Sequence, residues 1–219
     1  MDNTQILAQI KEAVIKGRHI QNGSPGVKEL VGQALDQSID FKIIINKGIF
    51  AGMEDIGDRF GYTAFMPEFL LASRAANTGI DILKESLGSE YQPKATAIIG
   101  IVGGDPHTHG MSLVSRMLRA NGYDVYDLDR FCTPEGFTKA IVEHSPQLVA
   151  LSAPTTYVFP TLRRTIEQIE AMPQYGSLRI IAGGACMNER TAKKWGAHDY
   201  APDALEAVKA ANDLMANLQ

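Results

Sequence analysis

"KATAIIGIVGGDPHTHGMSLVSRMLRANGYDVYDL", residues 94 to 128, is the stretch whose reading decides the fold. An apolar run (94–102) leads into an irregular loop rich in Gly and His. Apolar residues then recur at helical spacing over 110–121, and a second short apolar run follows at 123–128. Two short buried strands joined through a helix form a crossover unit, which places the strands parallel.

The alternation continues to the end of the chain. QLVALS (147–152), LRIIAG (178–183) and the short DYA (199–201) read as further strands, with helices near 134–144, 160–171, 188–195 and 203–217 between and after them. Five strands alternating with helices predict a parallel sheet covered on both faces, and the 2-1-3-4-5 order suits five strands best. This half is therefore expected to be a doubly wound α/β domain, flavodoxin-like and Rossmann-type.

Before residue 90 the texture differs, because apolar residues recur at helical spacing without competing strand alternation. One helix is expected over 3–17, and a second is started by Ser24-Pro25 with Val27, Leu30, Val31 and Leu35 inward. A third covers 41–60, and Met66-Pro67-Glu68 opens a fourth that runs to about Leu87. The Gly, Ser and Pro of LGSEYQPK (87–94) end the pattern, so the chain is read as α+β in two parts: a four-helix bundle over 1–90 and the sheet domain over 91–219.

Composition narrows the functional classes. The 219 residues are 45% hydrophobic, enough for two cores, and the formal net charge of -4 comes without a basic run that could neutralise phosphates. A nucleic-acid partner is not expected. No segment approaches the roughly 20 apolar residues of a membrane span, and the first helix begins with an acid, unlike a signal peptide. Cys132 and Cys186 stand far apart and in no metal spacing. A cytoplasmic protein is the expectation.

In sheets of this kind the binding crevice lies beyond the carboxyl ends of the strands. Three unusual loops fall there: GGDPHTHG after the first strand, SAPTT (152–156) after the third, and the Gly183-Gly184 pair after the fourth. Taken singly each has an ordinary reading as a solvated His, a turn-forming hydroxyl or a tight turn. His107 and His109 lack the Cys or carboxylate partners of a zinc site, and the loop matches no phosphate-binding glycine motif.

Together, Asp105-x-His107-x-x-Gly110, Ser152 and Gly183-Gly184 resemble the corrinoid-binding domain of cobalamin-dependent methyltransferases, whose pattern is DxHxxG, SxL and GG. The resemblance extends to WGAHDYAPDALEAV near the end of the chain. It also reaches GMEDIGDRFGYTAFMPEFLLASRAA (52–76), which is similar to the helical module preceding that domain. It implies a cobalamin or related corrinoid with His107 as the lower cobalt ligand and Asp105 orienting it. Gly110 would let the corrin edge and the helix come close, Gly183 and Gly184 would leave a slot for the displaced nucleotide tail and Ser152 would offer it a hydroxyl, with Thr155 or Thr156 extending the hydrogen bonding. Phe60, Phe65 and Met66 are the implied candidates for shielding the cobalt from above, within an apolar set that also holds Phe69 and Leu70. Pro154 in place of Leu and Met111 in place of a common Lys depart from the pattern.

The function implied is that of a methyl carrier, itself non-catalytic, working between a substrate-specific methyltransferase and a second methyltransferase with a folate or thiol acceptor. A reductive activator is a further implied partner. Two relatives of this architecture stand as alternatives, a cobalamin-dependent light sensor and the corrinoid subunit of a mutase. The sensor usually carries a Trp in the helical module, whereas Trp195 lies far downstream. A response-regulator domain of the same sheet order would need a phosphorylatable Asp after the third strand, and Ala153-Pro154 offers none.

Overall fold

In this computed structural model, residues 3–20, 23–59, 63–88, 91–104, 107, 109–128 and 132–218 are described. The chain divides into two units, one made of residues 1–92 with 120–122 and the other of 93–119 with 123–219.

The first unit is helical. α1 (Asn3–Ile15) turns Ile6, Leu7, Ile10, Ala13 and Val14 inward at the spacing of an amphipathic helix. α2 (Val27–Asp36) starts two residues later than the Ser24-Pro25 signal suggests. Its cap is Gly26, whose N–H is accepted by the Glu29 carboxylate at 2.9 Å. A Cβ on Gly26 would lie 2.5 Å from the Ile20 carbonyl carbon, so the incoming chain leaves room only for glycine there. The inner face is Val27, Leu30, Val31 and Ala34, with Leu35 half-buried at its margin.

The third rod is continuous but not uniform. α3 (Phe41–Ile43) passes through a π-helical segment, Ile44–Phe50, into α4 (Ala51–Asp58). Gly48 and Gly52, one turn apart, face α1 so closely that a Cβ would meet Ile10 Cγ2 at 2.9 Å and Val14 Cβ at 2.7 Å. α5 (Met66–Leu87) begins at Phe65, whose N–H is accepted by Glu68 at 3.2 Å, and places Pro67 in its first turn, where a missing N–H costs little.

The second unit is a five-stranded parallel sheet in the order β2-β1-β3-β4-β5, the order expected from the alternation. Its strands are β1 (Thr96–Ile101), β2 (Asp124–Asp127), β3 (Leu148–Ser152), β4 (Arg179–Gly183) and β5 (Asp199–Ala201). Helices α6 (His109–Ala120), α7 (Pro134–His144), α8 (Phe159–Glu170), α9 (Glu189–Lys194) and α10 (Ala204–Ala216) connect and follow them.

The two faces differ in bulk. Ile98, Val149 and Ile180 pair in one row and join Phe137 and Ile141 of α7 and Leu162 and Ile166 of α8 in a filled core. The next row, Ile99, Ala150 and Ile181, points to the opposite face. Away from the carboxyl edge, the fully buried Tyr123 donates to Asn212 Oδ1 at 3.0 Å and Lys94 donates to the same oxygen at 2.5 Å, tying the starts of β1 and β2 to α10. Burial pushes the Tyr123 hydroxyl pKa up and the Lys94 ammonium pKa down.

One histidine belongs to the sheet itself. His198 Nδ1 accepts the Ile180 N–H at 3.1 Å, and burial, followed by the Arg179 and Lys193 charges, lowers its pKa. A histidine held below its unfolded value, about 6.5, contributes stability that is complete above that value and lost as pH falls toward the folded one. Thermal melts between pH 7.5 and 5 should therefore show a loss of stability on acidification that His198→Asn reduces. An equal pH slope in the variant would assign the loss to other groups.

Candidate functional site

At the carboxyl edge of the sheet the strand ends are level. Ile101 pairs with Ser152, Ser152 with Gly183 and Gly183 with Ala201, so four strands finish in one row. The backbone continues this alignment past the strands: Val102 N–H donates to the Ser152 carbonyl at 3.2 Å and Ala153 N–H to the Gly183 carbonyl at 2.9 Å. Gly103 and Gly104 then adopt φ of 73° and 83°, two consecutive left-handed residues that turn the chain out of β1. His107 follows, exposed, between this turn and the start of α6. Asp105 and Pro106 lie outside the described residues, as does the His109 side chain.

Beneath the edge is a cavity of about 290 Å³ on the face carrying Ile99, Ala150 and Ile181. Those three residues form its floor by register. Ser152, Gly183 and Ala201, two residues farther along their strands, form its mouth, about 6–7 Å higher at the rise of a strand. Gly110, Met111, Leu113 and Val114 of α6 supply one wall, and Ala204 and Ala207 of α10 the other. The space exists because Ala150, Ser152, Gly183 and Ala201 put only small side chains on this face. The charged side chain in the lining is Asp203, whose Oδ1 accepts the Leu205 and Glu206 N–H groups at 2.9 Å and caps α10.

The three glycines of the site differ in what surrounds them. A Cβ on Gly183 would stand 2.6 Å from the Ala201 carbonyl oxygen, and one on Gly184, at φ 118°, would overlap the Ala153 carbonyl. These two lie in the lining, and the protein's own backbone demands them. Gly110 is the reverse case: in the first turn of α6, a Cβ there meets nothing within 4 Å. Packing among the described residues therefore gives no reason for a residue that weakens a helix.

The remaining sequence candidates fall elsewhere. Thr156 is exposed and opens a short 3-10 turn, Thr156–Val158, outside the cavity lining. Phe65 and Met66 are exposed on the helical unit, at 58% and 41%, and Leu70 at 38%, whereas Phe69 is in that unit's core. Phe60 lies outside the described residues. The α10 wall and the alanine and isoleucine floor escape a reading by motif. Their signal is a run of small residues, Ala150-x-Ser152, Gly183 and Ala201, at alternate strand positions facing one side.

Among the described residues no three His, Cys, Asp or Glu side chains converge as a metal site. No helix among these residues is long and apolar enough to cross a membrane.

Comparison with known proteins agrees with this arrangement. The B12 binding domain family matches residues 95–209, and a second family of the same description matches 6–84. The trimethylamine corrinoid protein of Methanosarcina barkeri is 33% identical over 214 residues, covering 94% of this chain and 96% of its own. Dimethylamine corrinoid protein 1 of Methanosarcina acetivorans is 31% identical, covering 99% of this chain and 100% of its own. Among solved structures, the methanol:cobalamin methyltransferase complex of Methanosarcina barkeri contains a chain of the same fold, with a TM-score of 0.79 at 22% identity, covering 97% of this chain and 80% of that one.

The glycine assignments predict opposite responses to one methyl group. Gly184→Ala should destabilise the protein without ligand by about 1 kcal/mol or more, read as a lower melting temperature, because the backbone must shift. Gly110→Ala should leave it unchanged or raise stability by about 0.5–1 kcal/mol, as alanine does in a helix. Similar destabilisation by both would show that Gly110 also serves internal packing.

Proposed function

The chain belongs to the corrinoid proteins built on B12 binding domains, and from that premise we propose that it is the methyl-carrying subunit of a methylamine methyltransferase system. The carrying observation is the apolar cavity at the level ends of β1, β3, β4 and β5, placed beside the loop that presents His107. The relatives named for trimethylamine and dimethylamine span nearly the whole chain and support the substrate class.

The residues fit a corrinoid with an extended tail. Gly110 leaves open space at the α6 wall, and the cavity is deep and apolar enough for a flat heteroaromatic base. When bound, the corrinoid supplies a reduced cobalt that accepts a methyl group and later gives it up. In this reading His107 would hold the cobalt through one imidazole nitrogen and Asp105 would take the N–H of the other, fixing the tautomer. Ser152 offers its hydroxyl to the tail at the cavity mouth, Gly183 and Gly184 border it, and Thr156 extends the hydrogen bonding beyond β3. Phe60, Phe65 and Met66 are the proposed apolar cover for the upper face, supported by the exposure of the latter two.

The partners follow from the chemistry of carriage. One methyltransferase delivers the group, a second passes it to a thiol or a folate, and a reductive activator restores cobalt that has lost an electron. A cytoplasmic location belongs to the same proposal, since reduced cobalt needs a reducing compartment.

Two measurements test the reading. In the cobalt(II) resonance spectrum of the loaded protein, His107→Ala should abolish nitrogen coupling from the protein, while His109→Ala should keep it. Asp105→Asn should weaken imidazole ligation by about 10- to 100-fold. Loss of the coupling in His109→Ala alone would move the ligand by two residues. Reduced loaded protein mixed in darkness with a methylamine methyltransferase and its substrate should lose the cobalt(I) absorption band. Failure with every methylamine, together with light-driven change of assembly, would replace the carrier with a sensor.

A further inference from the structure

The cavity's chemistry is uneven along its depth, and this bears on which corrinoid the chain accepts. Its floor is hydrocarbon: Ile99, Ala150 and Ile181 from the sheet, with Leu113 and Val114 from α6 among the walls. The polar side chains in the lining, Ser152 and Asp203, sit toward the mouth. Ser152 is in the mouth row, and Asp203 lies two residues past the end of β5 with Oδ1 already accepting two backbone N–H groups. The floor strands are central to the sheet, where their N–H and C=O groups are engaged with neighbouring strands.

We propose that this cavity selects corrinoids by the base at the end of the nucleotide tail, favouring alkylated benzimidazoles over purines. The proposal rests on the reading that the tail occupies the cavity. A dimethylbenzimidazole leads with methyl groups and ring carbons, which the floor receives without loss. An adenine brings an exocyclic amino group and additional ring nitrogens to the same depth. There they leave water and find no partner, and an unsatisfied buried polar group is disfavoured far more than a hydrogen bond of the ordinary kind is favoured. Selection therefore arises from what the floor lacks, while the mouth remains tolerant because Ser152 serves the sugar-phosphate portion common to both.

The experiment uses the full-length chain freed of corrinoid and follows binding by absorbance and equilibrium dialysis, with no methyl transfer required. Three ligands are compared: cobalamin, its counterpart with adenine as the base, and cobinamide, which lacks the nucleotide. Cobalamin is expected to bind about 10- to 100-fold more tightly than the adenine counterpart, the range set by one or two unpaired polar groups. Cobinamide should bind more weakly than cobalamin, having nothing to seat in the cavity. Val114→Thr, which places a hydroxyl at nearly unchanged volume in the wall, should narrow the gap between the two bases. Equal or tighter binding of the adenine counterpart overturns base selection while leaving the carrier reading in place. Cobinamide binding as tightly as cobalamin shows that the tail is not seated in the cavity and overturns it as well. If none of the three binds, the corrinoid reading falls and the selection with it.

Discussion

The arrangement of the site depends on the parallel register that brings Ile101, Ser152, Gly183 and Ala201 into one row. Because side chains alternate along a strand, the row two residues deeper, Ile99, Ala150 and Ile181, must face the same side. A slip of one residue in β3 would replace Ala150 and Ser152 with Val149 and Leu151 on that face, and the cavity would be filled. The same slip would take Val149 out of the core with Phe137 and Leu162, where it is fully buried. One register thus fills the α7 and α8 face and empties the other.

That division explains why stability and binding are carried by different residues. Phe137, Leu162 and Ile166 close the packed face with no room for an occupant, and removal of a buried Phe or Leu costs about 2–5 kcal/mol. On the open face the small side chains forgo burial, so the cavity is a local loss that the opposite core offsets. Gly183 and Gly184 belong to both: they border the cavity, yet their lack of Cβ is enforced by the carbonyls of Ala201 and Ala153. Gly110 alone among the three is open to a side chain by packing against the described residues.

The sheet was legible from the chain because its signals are local. Each strand is a short apolar run with a helical segment after it, and the observed 2-1-3-4-5 order is, of the common doubly wound orders, the one that suits five strands best. Helix starts were less legible: Ser24-Pro25 has the chemistry of a cap, but the close approach of Ile20 and the reach of Glu29 move the start to Gly26. The π-helical segment Ile44–Phe50, which packs against α1, left no mark in the apolar spacing. At the site, the loops carrying His107, Ser152, Gly183 and Gly184 stood out as unusual composition at strand ends. The floor did not, because Ile99, Ala150 and Ile181 are ordinary strand residues whose meeting is a matter of register.

In the proposed reading, a cavity set by hydrogen-bonded strands and a histidine carried by a loop would divide the work of holding one ligand. The strands cannot shift without breaking the ladder that joins β1, β3, β4 and β5, so the shape of the slot is constant. His107 instead follows Gly103 and Gly104, whose positive φ values release the chain from the direction of β1. Glycine makes that turn without steric strain, and the imidazole beyond it is exposed. In the proposed carrier, retention of the cofactor's tail by this slot would free His107 from having to retain the cofactor alone.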